Sequence, residues 1–86
     1  MRHDPQEFEE RELELVYIAA ALEEAKRIEA ILDELEIEYT VRVEQYRAGI
    51  IFASVRAGAF FYVLPEMAGR SREALTARGY KVQEAM

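Results

Sequence analysis

Three arginines are the side chains of this chain best suited to bind an anion. Arg42 falls on the polar side of a predicted strand, and Arg47 and Arg56 flank an apolar segment. A guanidinium group holds a carboxylate or phosphate through charge-assisted, often paired hydrogen bonds. The formal net charge of the chain is −6, so these arginines form a local basic group in an acidic protein. We expect them to contact a small anionic ligand or an acidic partner segment; the alternative is that they only balance charge.

Tyrosines recur along the predicted strands, with Tyr17 on the first and Tyr62 on the third. Such rings pack in a core or an interface and keep their hydroxyl groups at its wet margin. Two ligand-binding interpretations stand beside this one. The rings could line a cavity for an apolar substrate, or they could stack bases as the strand aromatics of an RNA-recognition motif do. The acidic net charge opposes phosphate backbones, so we expect no nucleic-acid partner.

The sequence offers few groups for catalysis or for metal binding. His3 is the only histidine and there is no cysteine, which excludes disulfides and thiolate chemistry. A metal site needs several ligands at fixed spacing. The carboxylates follow the polar faces of the predicted elements, with no pattern of a neutral acid beside an ionised base. We therefore predict no catalytic residue, no metal site and no cofactor.

The elements that position these residues follow from hydrophobic periodicity. A strand over 13–19 is apolar on both faces, and a helix follows whose apolar residues repeat at spacings of three and four. A second strand spans 39–44, a third spans 60–64, and a second helix spans 66–78, with an alternative start at Ser71 as N-cap. Gly79 suits a left-handed helix end, and a short strand follows at 80–82. This order predicts an α+β, ferredoxin-like βαββαβ sandwich, with an antiparallel sheet and both helices on one face.

The middle of the chain contains more residues than this fold needs. Antiparallel pairing of the second and third strands sets Leu64 opposite Glu38 and Tyr46 opposite Arg56, which leaves residues 47–55 between them. That segment is too long for a tight hairpin and too apolar for an exposed loop. Either 50–55 is an extra strand, or Gly58 is a bulge in one long strand and the arm projects. We expect the apolar residues to contribute to an oligomer contact: Ile50, Ile51, Phe52 and Val55.

Length and composition limit the organisation of the chain. At 86 residues it is small enough for oligomerisation to supplement its core. We predict a flexible acidic tail at 1–11 and a single domain at 12–86. No apolar window approaches the ~20 residues of a membrane span, and the N-terminus does not resemble a signal peptide. We therefore expect a cytoplasmic protein with no membrane partner.

Three segments resemble a family: Val16-Tyr17-Ile18, Leu32-Asp33-Glu34-Leu35-Glu36-Ile37 and Tyr62-Val63-Leu64-Pro65-Glu66. They are similar to small bacterial signal-transducing proteins that are related in fold to the PII nitrogen regulators. Here Glu36 stands in place of the glycine of a Gly-Ile strand entry, and Leu64 separates Val63 from Pro65. PII proteins carry an effector loop between their second and third strands, where 47–55 lies in this chain. No PII nucleotide-binding residue can be transferred to this sequence.

These observations predict a non-enzymatic regulatory or binding module that forms a homodimer or higher homo-oligomer. In this hypothesis a ligand or protein partner orders the 47–55 segment, with Arg47 and Arg56 as anion contacts and Ile51 and Phe52 as apolar anchors. The alternative is a small dimeric α+β-barrel-type enzyme or an apolar-ligand-binding protein, with a cavity under Tyr17 and Tyr62. Fold alone does not decide between them.

Overall fold

The protein is an α+β structure with a four-stranded mixed sheet and two helices. The computed structural model describes residues 2–4, 12–48 and 54–84, without the side chains of residues 46–48, 54 and 55. In chain order, the elements are β1 (Arg2–His3), β2 (Glu14–Ala19), α1 (Leu22–Glu34), β3 (Tyr39–Ala48), β4 (Ser54–Val63) and α2 (Pro65–Ala77). The strand order β1-β3-β4-β2 is compatible with a ferredoxin-like kind of fold.

The core lies between the two helices and one face of the sheet. Helix α1 buries Ala25, Ile28 and Leu32 on its apolar side, as its periodicity predicts. Helix α2 begins at Pro65, which is favoured at the first helical position. The alternative start at Ser71 is wrong, because Ser71 lies inside the helix and its hydroxyl donates to the Met67 carbonyl at 2.8 Å. The sheet contributes these buried residues: Val16, Tyr17, Ala19, Tyr39, Phe61 and Val63.

Strand β1 makes the sheet mixed, whereas the sequence predicted a purely antiparallel sheet. Arg2 and His3 pair in parallel with the start of β3, in the segment predicted to be a tail. An ion pair at Arg2 and a polar side-chain contact at His3 accompany this pairing. Arg2 Nη1 lies 3.3 Å from Glu29 Oε1 on α1, and His3 Nε2 lies 3.3 Å from Glu38 Oε1. The rest of the predicted tail, apart from Asp4, lies outside the described residues.

The predicted fourth strand at 80–82 is not a strand. Residues 80–84 instead follow the outer edge of β2, where the Gln83 amide donates to the Val16 carbonyl at 2.8 Å. The pairing of β2 with β4 shifts register between Leu15 and Tyr17. A shift of this kind bends the strand and interrupts the regular spacing of its edge groups, which disfavours a continuous ladder there.

Arg72 holds this C-terminal segment against β2. From α2, its Nε donates to the Gln83 carbonyl at 2.7 Å, and Nη2 donates to the Leu15 carbonyl at 3.1 Å. Its Nη1 lies 3.1 Å from Glu14 Oε2, and the Arg72 side chain is only 18% exposed. One side chain therefore joins α2, β2 and the C-terminal segment.

The β3–β4 hairpin is longer than predicted and keeps one register throughout. Pairs run without a shift from Tyr39 opposite Val63 to Ala48 opposite Ser54, and they confirm the predicted pair of Tyr46 and Arg56. Residues 54 and 55 continue β4, so they do not belong to an extra strand at 50–55. Gly58 lies directly opposite Glu44 and forms no bulge against β3. Residues 49–53 lie outside the described residues.

Both helices end in the same hydrogen-bonded motif. Gly79 has a φ of 87° after α2, as predicted, and the Tyr80 amide donates to the Leu75 carbonyl at 3.0 Å. After α1 the equivalent position is Glu36, with a φ of 58°, and the Ile37 amide donates to the Leu32 carbonyl at 2.9 Å. These are Schellman motifs, in which the left-handed residue is usually glycine. Glu36 therefore has a left-handed backbone conformation, which is strained for a residue that carries a Cβ.

We expect opposite effects from glycine substitutions at the two helix ends. Glu36→Gly should raise the free energy of unfolding by about 1 kcal/mol, because it removes the penalty of a left-handed non-glycine residue. Gly79→Ala should lower it by about 1 to 2 kcal/mol for the same reason. No heavy atom outside the local backbone lies within 4 Å of the position of a Cβ on Gly79, so a clash would not contribute. Thermal unfolding measures both changes.

Gly69→Ala is the matched control for the Gly79 substitution. Gly69 lies inside α2, and a Cβ there also meets no atom within 4 Å. Helix propensity predicts a gain of about 1 kcal/mol for this variant. Equal effects of Gly69→Ala and Gly79→Ala on the melting temperature would contradict the assignment of the helix end.

Replacing Arg72 should release the C-terminal segment. Arg72→Met keeps the apolar stem but removes the hydrogen bonds, so we expect a loss of about 1 to 3 kcal/mol in the free energy of unfolding. Hydrogen exchange at the Gln83 amide should be faster in this variant than in the natural protein, by a larger factor than at core amides. The control is Arg70→Met, because Arg70 is exposed and its one hydrogen bond to the described residues is to the Leu35 carbonyl, at 3.1 Å. Similar losses in both variants would show that Arg72 is not a specific clamp.

Candidate binding site

The end of the β3–β4 hairpin extends past the last residues of β4 that pair with β2. The pairing of β2 with β4 ends at Ala19 and Ala59, but β3 and β4 remain paired from Glu44 and Gly58 to Ala48 and Ser54. We call residues 44–48 and 54–58 the ribbon. At about 3.3 Å per residue, its five pairs extend roughly 15 Å. An isolated two-stranded ribbon is marginally stable in water, so this one is a candidate to bind another surface.

An open apolar groove lies at the base of the ribbon, on the helix side of the sheet. Its volume is about 200 Å³. Two large apolar side chains on its rim are exposed, Leu22 at 69% and Val43 at 79%. The groove is lined by Ala19, Ala20, Ala21, Leu22, Ala25, Val43, Ala57, Gly58 and Ala59. Small residues leave this space, because α1 begins directly above the end of β2 and no large side chain of the described residues fills the corner.

A tyrosine and a carboxylate meet on the other face of the sheet. The Tyr62 hydroxyl donates to Glu44 Oε2 at 3.1 Å. Burial raises the pKa of Tyr62, the hydrogen bond to Glu44 raises it further, and the charge of Arg42 opposes both. The hydroxyl group is therefore a neutral donor at neutral pH, and it holds the Glu44 carboxylate at the base of the ribbon.

The structure brings together only some of the predicted ligand-binding residues. Arg42 and Arg56 are both exposed. Arg42 lies opposite Phe60, and Arg56 lies opposite Tyr46 further along the hairpin. Arg47 pairs with Val55 in the ribbon, but the side chains of both lie outside the described part of the structure. The predicted interface residues Ile50, Ile51 and Phe52 also lie outside it.

Tyr17 and Tyr62 lie on opposite faces of the sheet. Tyr17 pairs with Phe61 and belongs to the core beneath the helices. Its ring packs edge-on against Tyr80, with ring centroids 5.8 Å apart. Tyr62 is the next residue after Phe61 along β4, and successive strand residues point to opposite faces. The two tyrosines therefore do not line one cavity.

The sequence interpretation missed the groove. Its lining comes from the end of β2, the start of α1 and both strands of the hairpin, and no single segment shows it. The available signal was a pair of small-residue runs, Ala19-Ala20-Ala21 and Ala57-Gly58-Ala59. Each run by itself is an ordinary strand end or turn. Only the pairing of Ala19 with Ala59 brings them side by side.

Residues 2–4, 12–48 and 54–84 contain neither a metal site nor a membrane-spanning helix. No group of three or more His, Cys, Asp or Glu side chains in these ranges is placed to hold a metal ion. None of the helices described there is long and apolar enough to cross a membrane.

Comparison with known proteins gives no relative. No family model, no curated protein and no solved structure matches the chain. The resemblance to the PII-related signal-transducing proteins therefore remains a prediction from residue patterns. The geometry of the groove, the ribbon and the Tyr62–Glu44 pair is the basis for assigning a function.

We expect the stability of the fold to fall at high pH, partly through Tyr17. Burial, together with the nearby Glu24 carboxylate, raises the pKa of Tyr17 to about 12. Between an unfolded-state pKa of about 10 and this value, the unfolded chain loses the proton while the folded protein keeps it, so the free energy of unfolding decreases as pH rises. Tyr17→Phe should make this decrease shallower.

Urea unfolding midpoints measured at neutral pH and at several alkaline pH values test this expectation. The comparison at neutral pH is the internal control, because it reports the loss of the hydroxyl group itself. A difference between Tyr17→Phe and the natural protein that stays constant at every pH would exclude a contribution from Tyr17 titration.

Proposed function

We propose that this protein is a small, non-enzymatic regulatory or binding module that works as a homodimer or higher homo-oligomer and recognises its partner through the ribbon. The observation that carries the proposal is the length of the hairpin. Strands β3 and β4 each have 10 residues, whereas β2 has 6, so among the residues that the structure describes no third strand accompanies the ribbon. Unpaired strand edges of this kind are normally covered or used for binding.

The chemistry of the hairpin end suits an acidic or apolar partner. No Asp or Glu occurs between Glu44 and Glu66, while Arg47 and Arg56 flank an apolar run. In the proposal, these two arginines contact a small anionic ligand or a partner carboxylate, and Ile50, Ile51, Phe52 and Val55 are the apolar anchors. Arg42 and Tyr62 act at the base of the ribbon, where Tyr62 and Arg42 flank Glu44.

The arrangement of the elements supports a PII-like assignment within this proposal. Elements β2, α1, β3, β4 and α2 follow the βαββα order of a ferredoxin-like fold. The C-terminal segment follows the edge of β2, the position that a fourth strand takes in that fold. The ribbon lies where PII proteins carry their effector loop. We accordingly propose signal transduction in a bacterial cytoplasm, without nucleic-acid or membrane partners.

The alternative enzyme or apolar-ligand protein has less support. It requires Tyr17 and Tyr62 to enclose a common cavity, and the two rings lie on opposite faces of the sheet. Tyr17 is also packed against Tyr80 in the core.

Native mass spectrometry of freshly purified protein tests the proposed function. We expect a dimer or larger assembly, and a retained mass would identify a ligand carried from the cell. The double variant Ile51→Ser, Phe52→Ser should shift the assembly to monomers, because it removes the apolar anchors, without changing the melting temperature of the monomer. The control Lys26→Ser, Arg27→Ser changes two exposed residues of α1 and should leave the assembly intact.

Two results would count against this function. A natural protein that is monomeric at every concentration would exclude the oligomeric module. An Ile51→Ser, Phe52→Ser variant that unfolds at low protein concentration, before any change in assembly, would instead show that the segment belongs to the core of its own chain.

A further inference from the structure

We propose that the apolar groove receives residues 50–52 from the ribbon of a second copy, so that two copies exchange ribbons reciprocally. This inference rests on the proposed function and deepens it, because it names the surface that the ribbon binds. It concerns the groove bounded by Leu22 and Val43, which the sequence interpretation did not identify.

The groove is an apolar surface that is open to solvent. Its floor is formed by small residues, and its rim carries two large side chains, Leu22 and Val43, that no described residue covers. Burying an apolar side chain such as Leu or Val stabilises a protein by about 1.5 to 3 kcal/mol. A volume of about 200 Å³ is large enough for one or two large apolar side chains. The groove is therefore suited to bind an apolar ligand with large side chains.

The chain itself contains a segment of this chemistry next to the groove's own strands. Ile50-Ile51-Phe52 is a run of three large apolar residues, and it follows Ala48 at the end of the ribbon. The described part of the ribbon ends away from the groove of the same chain. The last described pair, Ala48 with Ser54, lies three pairs beyond Gln45 and Ala57, which is about 10 Å further along the strands. A second copy presents the same run to the groove from outside.

Charge complementarity favours the same occupant. Arg47 and Arg56 flank the apolar run, with no carboxylate between them. Glu23 and Glu24 lie in the first turn of α1, next to the groove residue Leu22. A ribbon that inserts its apolar run therefore brings its arginines towards two acidic residues of the other copy. Reciprocal insertion uses the same surfaces on both copies, as a two-fold symmetric interface requires.

The test uses engineered cysteines, since the natural chain has none. The double variant Leu22→Cys, Ile51→Cys places one thiol on the groove rim and one on the apolar run. Under mild oxidation we expect a covalent dimer held by two disulfides, seen as a doubled mass that reduction reverses. Leu22 is 69% exposed, so its replacement should not disturb the core. Circular dichroism of the reduced protein checks the fold.

The matched control is Glu34→Cys, Ile51→Cys, which moves the first thiol to an exposed position at the far end of α1. Bound segments meet at effective concentrations in the millimolar range, so the groove variant should cross-link roughly a hundredfold faster than this control at micromolar protein. As a reversible test, Leu22→Ser with Val43→Ser should weaken dimerisation at least roughly tenfold, while Lys26→Ser should not, because only the former pair removes apolar contact in the groove.

The outcomes separate this inference from the proposed function. A disulfide within one chain would show that the run folds back onto its own groove, and a ladder of larger products would exclude a closed two-fold exchange. Equal cross-linking in the groove variant and the control would also overturn the inference. If the natural protein is a dimer by native mass spectrometry in any of these cases, the oligomeric module stands and only the groove assignment fails. A monomeric natural protein would remove both.

Discussion

Strand β4 is the element on which the rest of the structure depends. It pairs with β3 on one side and with β2 on the other, so Phe61 at its centre lies opposite both Val41 and Tyr17. Phe61 is fully buried and packs against the Tyr39 ring, with centroids 5.9 Å apart. Both helices cover this face of the sheet. A one-residue shift in the register of β4 would turn Phe61 out of the core and bring Tyr62 in, because strand side chains alternate between faces.

The ribbon and the groove both result from unequal strand lengths around β4. Because β2 ends at Ala19 and the chain turns into α1, the described sheet continues above that point with β3 and β4 alone. The same turn places small residues and Leu22 beside Val43, which leaves the groove open. The ribbon and the apolar groove thus have one structural cause. Their coexistence in one chain is the geometric basis of the proposed exchange between copies.

Long-range polar contacts fasten the two ends of the chain to this frame. Arg2 pairs with Glu29 on α1, and Arg72 joins Glu14, the Leu15 carbonyl and the Gln83 carbonyl. In the C-terminal segment these contacts add to the packing of Tyr80 and Val82 against the core. A small domain gains proportionally more from such contacts, since it buries a smaller fraction of its surface than a large one does.

The amino-acid sequence by itself determined the local features of this protein. Apolar spacing defined α1 and its buried side, Gly79 marked the end of α2, and antiparallel pairing of two strands predicted Tyr46 opposite Arg56. These features depend on contacts within one element or between neighbours in the chain. Tertiary structure decided what depends on distant residues: the pairing of Arg2 and His3 with β3, the clamp by Arg72, the separation of Tyr17 from Tyr62, and the groove. The reason is physical, because a two-residue strand, a single arginine or a run of alanines acquires its role only from the partner that folding places beside it.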